Sequence, residues 1–249
     1  MSKILAFTNQ KGGVGKTTST ANVGAGLARA GQRVLLVDLD PQANLTKGLG
    51  LGLGHAEQNV YGALLGEYRL KAYPLRENLA LVAGSPALSG FEKVKGDELD
   101  REFLLKELLE PVRERCDYIL LDCPPALGLV TLNAYACAQA LYIPLEAQLY
   151  AADGLEKVLE LVGRVQRRLN PALAVGGVFF TRHDKRKVLR RDTAEQLRAL
   201  HPGLVLDAVI RESIALGEAP HLGQDIFAYA PQSAGAADYQ ALVAEILTR

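Results

Sequence analysis

The chain has no tryptophan, one methionine and three cysteines among 249 residues. Cys116, Cys123 and Cys137 form no Cys-x-x-Cys pair. So sparse and odd a set argues against a disulfide framework and a zinc site, and suits a reducing compartment. The four histidines, His55, His183, His201 and His221, are scattered and show no metal-ligand spacing. No run of about 18 apolar residues occurs, so no segment reads as a membrane-spanning helix. The opening residues enter a short apolar run without a signal-peptide core or a small-residue cleavage site, so a cytoplasmic location is expected. Net charge is missing too: 28 basic residues balance 28 acidic ones. Any attraction to nucleic acid must therefore come from a local patch.

Hydrophobic residues make up 49% and charged residues 22%, an ordinary globular balance. The length fits one α/β domain over 1–249. Short apolar runs predict strands at Ile4–Thr8, Val34–Asp38, Leu79–Ala83, Tyr118–Asp122, Ala140–Pro144, Ala174–Phe180 and Val205–Ile210. Most are nearly continuous Val, Ile, Leu and Ala, as strands buried on both faces of a parallel sheet require. Longer patterns between them predict helices at Lys16–Ala30, Asp100–Glu110, Val130–Ala138, Gly154–Leu169, Val188–Leu200 and Ala234–Leu247. Gly31 and Asn170-Pro171 are stop signals after two of these helices. The alternation implies a single doubly wound, mostly parallel β-sheet flanked by helices. The Gly-rich stretch Thr46 to Gly54 is expected to be a mobile loop.

Chemistry concentrates after the first strand. Gln10-Lys11-Gly12-Gly13-Val14-Gly15-Lys16-Thr17-Thr18 links that strand to the first helix. Its end fits the phosphate-loop pattern GxxxxGK[ST], although Gln10 stands where the first glycine belongs. Glycines let backbone N–H groups curl around phosphate oxygens, and the helix N-terminus adds its positive dipole end. Lys16 is placed to reach the β/γ phosphates, and the Thr17 hydroxyl to ligate Mg²⁺. Asp122 ends a hydrophobic strand, where a carboxylate can hold Mg²⁺ through water. Asp38 and Asp40 end the second strand and alternate to the same side. Either is placed to meet the γ-phosphate or its attacking water.

These residues resemble the deviant Walker-A ATPases, most closely the ParA/Soj family that partitions chromosomes and plasmids. The loop Lys11–Thr18, the run Leu35–Thr46, the run Tyr118–Tyr135 and two later blocks, Tyr142–Leu155 and Gly217–Leu242, carry the likeness across essentially the whole chain. The resemblance implies ATP and Mg²⁺ as ligands and a weak ATPase activity. It implies that Lys11, the signature lysine, crosses into the partner subunit's nucleotide, so that ATP joins a homodimer. Asp40 carries over as the residue that positions or activates water, with Asp38 the weaker candidate. Gly12, Gly13, Val14, Gly15, Lys16, Thr17 and Thr18 carry over as phosphate and Mg²⁺ contacts. The adenine site falls at loops after late strands, here including Thr181-Arg182 and Ile210-Arg211. The family also implies non-specific double-stranded DNA binding by the ATP-bound dimer, a ParB/Spo0J-type centromere-binding partner, and a place on the nucleoid.

Seven basic residues lie from Arg182 to Arg198, against the acids Asp184, Asp192 and Glu195. Arg182, Lys185, Arg186, Lys187, Arg190 and Arg191, with Arg211, are the candidates for phosphate-backbone contact without sequence readout. The same charges also fit a solvated helix face. One departure from the family matters: Ala215, not arginine, precedes the Leu216-Gly217-Glu218-Ala219-Pro220 block.

The membrane-associated MinD branch shares the loop but ends in a lipid-binding amphipathic helix. Here the stripe Tyr239, Leu242, Val243, Ile246 and Leu247 reads as the core face of a terminal helix, without the basic polar face that a surface-binding helix shows. In the nitrogenase-reductase-like branch, cysteines hold an iron–sulfur cluster. Cys123 and Cys137 lack that setting and read as buried small hydrophobes.

Overall fold

A computed structural model describes residues 2–54, 56–148, 151–184 and 188–249, with the backbone alone at 188–190. Eight strands form one sheet: β1 Lys3–Phe7, β2 Val34–Asp38, β3 Tyr73–Arg76, β4 Leu79–Val82, β5 Tyr118–Asp122, β6 Ala140–Leu145, β7 Ala174–His183 and β8 Val205–Arg211. Their spatial order is β3-β4-β2-β5-β1-β6-β7-β8. All neighbours are parallel except the β3–β4 pair. The helices are α1 Lys16–Arg29, α2 Asn44–Gly48, α3 Val60–Leu64, α4 Phe91–Lys95, α5 Leu104–Leu109, α6 Leu129–Cys137, α7 Ala151–Arg168, α8 Val188–Leu200, α9 Ile214–Glu218, α10 Ile226–Tyr229 and α11 Ala234–Leu247.

Alternation along the strands builds two cores. Ile4 and Ala6 of β1 face a layer that includes Leu129 of α6 and Leu155 of α7. Leu5 and Phe7 face the opposite layer, with Val23 of α1 and Leu242 of α11. A doubly wound sheet requires this pattern, because every central strand is covered on both sides. The stripe on α11 packs as core: Tyr239, Leu242, Val243 and Ile246 are buried, and only Leu247 at its end is 38% exposed. Cys123 and Cys137 are buried in the first core, as small apolar side chains.

Three local expectations give way. The antiparallel edge strand β3 comes from Tyr73-Pro74-Leu75-Arg76, which lacks a continuous apolar run. It is paired on one side only, and an edge tolerates proline. The helix expected from Asp100 starts at Leu104, because Asp100 sits at φ 56, outside the helical region. The stretch from Thr46 is built in: α2 occupies its start, and Gly50 packs on Gly223. A Cβ on Gly223 would lie 2.7 Å from the Gly50 Cα, so the two backbones touch directly.

β1 lies between β5 and β6, and the chain leaves it to build first one flank and then the other. The loop between β1 and α1 therefore opens at a topological switch point, beyond the carboxyl ends of the strands, where open α/β sheets bind ligands.

Candidate functional site

The loop after β1 is held from three sides. Asn9 accepts a hydrogen bond from the Lys11 N–H at 2.9 Å and donates to the Pro144 carbonyl at 2.8 Å. Thr181 of β7 donates to the Val14 carbonyl at 2.9 Å. Gly13 and Gly15 sit at φ 75 and 89, in the left-handed region that side chains disfavour. That conformation turns the chain into α1, with Gly15 as its N-cap and no side chain capping the helix. The first-turn N–H groups are thus left for an anion.

Lys16 is 6% exposed, and its amine donates to the Lys11 carbonyl at 3.1 Å. Burial lowers its pKa, while the nearby Asp122 and Asp40 carboxylates act the other way. It is a cation already desolvated and poised for phosphate.

Asp38 and Asp122 stand side by side, paired in register on β2 and β5. Asp38 is fully occupied. Its Oδ2 accepts from the Thr46 N–H at 2.8 Å and the Thr46 hydroxyl at 2.6 Å, and its Oδ1 accepts from the Asp40 N–H at 3.2 Å. Burial raises its pKa to about 6 against the opposing pull of the Thr46 bonds. Asp38 thus ties β2 to α2. Asp40 lines the cavity instead, with Oδ1 accepting from the Gln42 N–H at 2.9 Å.

Asp122 is buried, and its Oδ2 has no hydrogen-bond partner. Its other oxygen accepts only a long bond, 3.4 Å, from Thr20. Burial, then the Asp38 charge, holds its pKa well above the carboxylate range, and the nearby Thr17 hydroxyl works against them. An unpartnered buried carboxylate oxygen beside a threonine hydroxyl suits a hydrated dication, whose charge would reverse that preference. The residues present therefore fit Mg²⁺.

Lys16 and Asp40, but not the buried Asp38 and Asp122, line a cavity of about 680 Å³, within the range for small-molecule sites. Gly12, Gly13, Val14, Gly15, Lys16, Thr17 and Thr18 form one end, with Asp40, Gln42, Asn44 and Pro125 beside them. Thr181, Arg182, Ile210 and Arg211, from the loops where the base was expected, line it too, as does Tyr239. Tyr239, on the distant α11, shares a 3.0 Å hydrogen bond with Ser19 of α1. Asn9, Thr20 and Tyr239 carry no motif that would single them out; Asn9 alone has a cue, as the residue just before the loop.

Lys11 lies at the rim with half its side chain exposed. Its amine donates to Gln148 Oε1 at 2.5 Å and lies 3.9 Å from Glu146.

The described basic candidates do not form one row. Arg182 lines the cavity and pairs with Glu146 at 3.1 Å. Arg211 also lines it and is gripped by Asp238 at 2.7 Å. Arg191 is exposed on α8 beside Asp192, at 3.2 Å. Lys185, Arg186 and Lys187 lie outside the described residues, as does the Arg190 side chain.

The chain is similar to known proteins along nearly its whole length. A family profile described as an AAA domain matches residues 2–175. The chromosome-partitioning ATPase Soj of Treponema pallidum is 44% identical, over 100% of this chain and 98% of its own. The sporulation initiation inhibitor protein Soj of Bacillus subtilis is 42% identical, over 99% and 98%. Among solved structures, cobyrinic acid a,c-diamide synthase of Mycobacterium smegmatis with bound ADP and magnesium superposes with a TM-score of 0.87 at 32% identity, covering 99% of this chain and 94% of that one.

Proposed function

Since the chain belongs to the ParA/Soj family of chromosome-partitioning ATPases, we propose that it is an ATP-driven dimerisation switch that grips DNA non-specifically in its ATP-bound form. The observation that carries this reading is one cavity lined by a glycine-turned phosphate loop, a desolvated Lys16 and Asp40, with an unpartnered Asp122 oxygen buried at the end of the neighbouring strand β5. Magnesium, when bound, supplies charge neutralisation at the phosphates. Thr17 and Asp122, the latter through water, are the residues to hold it. Lys16 binds the phosphates. Asp40 orients the attacking water. Asp38 is withdrawn from that role by its three accepted bonds.

Lys11 lies beside this cavity with its side chain half exposed, where a second subunit can be met. A lysine supplied in trans neutralises γ-phosphate charge only in the dimer, which couples assembly to ATP. Two weak basic faces on one duplex then bind far more tightly than one. Arg191 is the described α8 contributor, and Arg182 and Arg211 belong with the nucleotide. A ParB/Spo0J-type partner accelerates hydrolysis and so biases where dimers sit along the nucleoid. No helix among the described residues is long and apolar enough to cross a membrane. The partition relatives, at 38–44% identity, outweigh the diamide synthase at 32% as guides to activity.

A mobility shift on random-sequence duplex tests the reading, with no nucleotide, with ADP and with a slowly hydrolysed ATP analogue, at two salt concentrations. Binding confined to the ATP form and weakened by salt is the expected result. Binding in no state would sink the DNA half. Retention on anionic liposomes with ATP would then favour the MinD-like alternative.

A further inference from the structure

The phosphate loop leaves one of its two lysines outside the cavity, and the reason lies on β6. Past its carboxyl end, Glu146 is only 7% exposed yet faces two cations: Arg182 at 3.1 Å and the Lys11 amine at 3.9 Å. Gln148 completes the group. Its Nε2 donates to Glu146 Oε2 at 2.6 Å, and its Oε1 accepts from Lys11 at 2.5 Å. Both ends of the Gln148 amide are thus used, one on the acid and one on the lysine. The loop's own backbone is anchored to the same region, through Asn9 and the Pro144 carbonyl.

We propose that Glu146 and Gln148 form a cis latch on Lys11, a pair of positioning residues that holds the lysine on its own subunit until a partner's phosphate outcompetes them. This rests on the reading of Lys11 as the residue that reaches the partner's nucleotide. One ammonium cannot lie against Glu146 and against a phosphate of a second subunit at once, so dimer formation requires an exchange of anions. A triphosphate offers more charge than one carboxylate, and a diphosphate lacks the terminal group. The latch therefore raises the threshold for assembly, which a triphosphate is better able to meet than a diphosphate. Because Lys11 is half exposed, each latch holds by a modest factor, roughly threefold. Two lysines are released per dimer, so the dissociation constant carries about the square of that factor, roughly tenfold.

Sedimentation of the full chain with Mg²⁺ and a slowly hydrolysed ATP analogue tests this, on wild type, Lys11→Ala, Glu146→Gln and Gln148→Ala. Wild type is expected to dimerise with the analogue and Lys11→Ala to remain monomeric, which checks the underlying reading. Glu146→Gln should tighten the dimer by about tenfold, and Gln148→Ala by about threefold. A merely structural role would weaken the dimer, so the direction is diagnostic. Gln148→Ala also guards against effects through Arg182, because Gln148 touches Lys11 directly. If wild type and Lys11→Ala behave as expected but neither latch variant tightens the dimer, the latch is wrong and the Lys11 reading stands. If wild type stays monomeric, or Lys11→Ala dimerises equally well, both fall together.

Discussion

The ends of β2 and β5 carry the same residue at the same height, and the two aspartates do opposite things. Asp38 accepts three hydrogen bonds and serves as a tie between β2, α2 and Asp40. Asp122, its neighbour in register, is equally buried and keeps an oxygen with no partner. Nothing about a strand-end aspartate distinguishes these fates. The difference is Thr46, whose N–H and hydroxyl both turn toward Asp38. A buried polar group left unpaired costs stability unless something else satisfies it. In the proposed reading, the unpaired one is therefore kept for a cation, and the paired one serves the structure.

The strongest way to sharpen this contrast is at the third carboxylate, the one in the open cavity. Asp40→Ala should lower ATP turnover by about 10²–10⁴-fold, the usual yield of a positioned acid–base group, while leaving ATP binding intact and trapping the dimer. A variant that stays monomeric with ATP on sizing would remove Asp40 from that role. Asp122→Asn should lower magnesium-dependent turnover by roughly 10–100-fold, as outer-shell partners of a metal usually do. Its metal-free melting temperature should not fall, because the oxygen that is replaced has no hydrogen-bond partner to lose. Equal losses of stability in Asp122→Asn and Asp38→Ala would erase the distinction drawn here.

Asp38→Ala is the mirror case. It strands the buried Thr46 donors, so a loss of roughly 2–4 kcal/mol is expected by urea denaturation, with ATP contacts in the folded fraction preserved. The last effect, no larger than that one, is in pH. The Asp38 pKa is raised from 3.8 to about 6, so between those values the folded state binds more protons than the unfolded state. Its contribution to stability then falls as pH rises from about 4 to about 6, and is flat outside that window. The metal-free wild type, compared with Asp38→Asn across that range, should show this slope. An opposite slope would mean that the Thr46 bonds prevail over burial.

Much of the fold was legible in the residues. The continuous apolar runs named seven of the eight strands, because strands covered on both faces leave no polar positions to confuse the pattern. The strand that escaped, β3, is an edge, where one-sided pairing relaxes the demand for apolar residues. The phosphate loop was legible for a similar reason. Its chemistry is local: glycines, a lysine and a hydroxyl within nine positions feed one helix N-terminus. Thr46–Gly54 was misread at its start, which lies in α2, and at Gly50, which serves a long-range contact on Gly223 that no local pattern announces. The arginines were legible as charge but not as place. Arg182 and Arg211 turned toward the nucleotide cavity, each drawn by an acid distant in sequence, Glu146 and Asp238.

The sequence by itself determined the alternating α/β order, the phosphate loop with its two lysines, and the carboxylates available to serve it. These are local properties, set by side-chain periodicity and by conformations that only glycine adopts readily. Tertiary structure alone decided which aspartate is tied off and which is left open, where each arginine turns, and that Lys11 rests against Glu146 and Gln148. Hydrogen bonds and ion pairs are settled by what the fold brings within about 3 Å, and partners over a hundred residues apart meet there only once the sheet has closed.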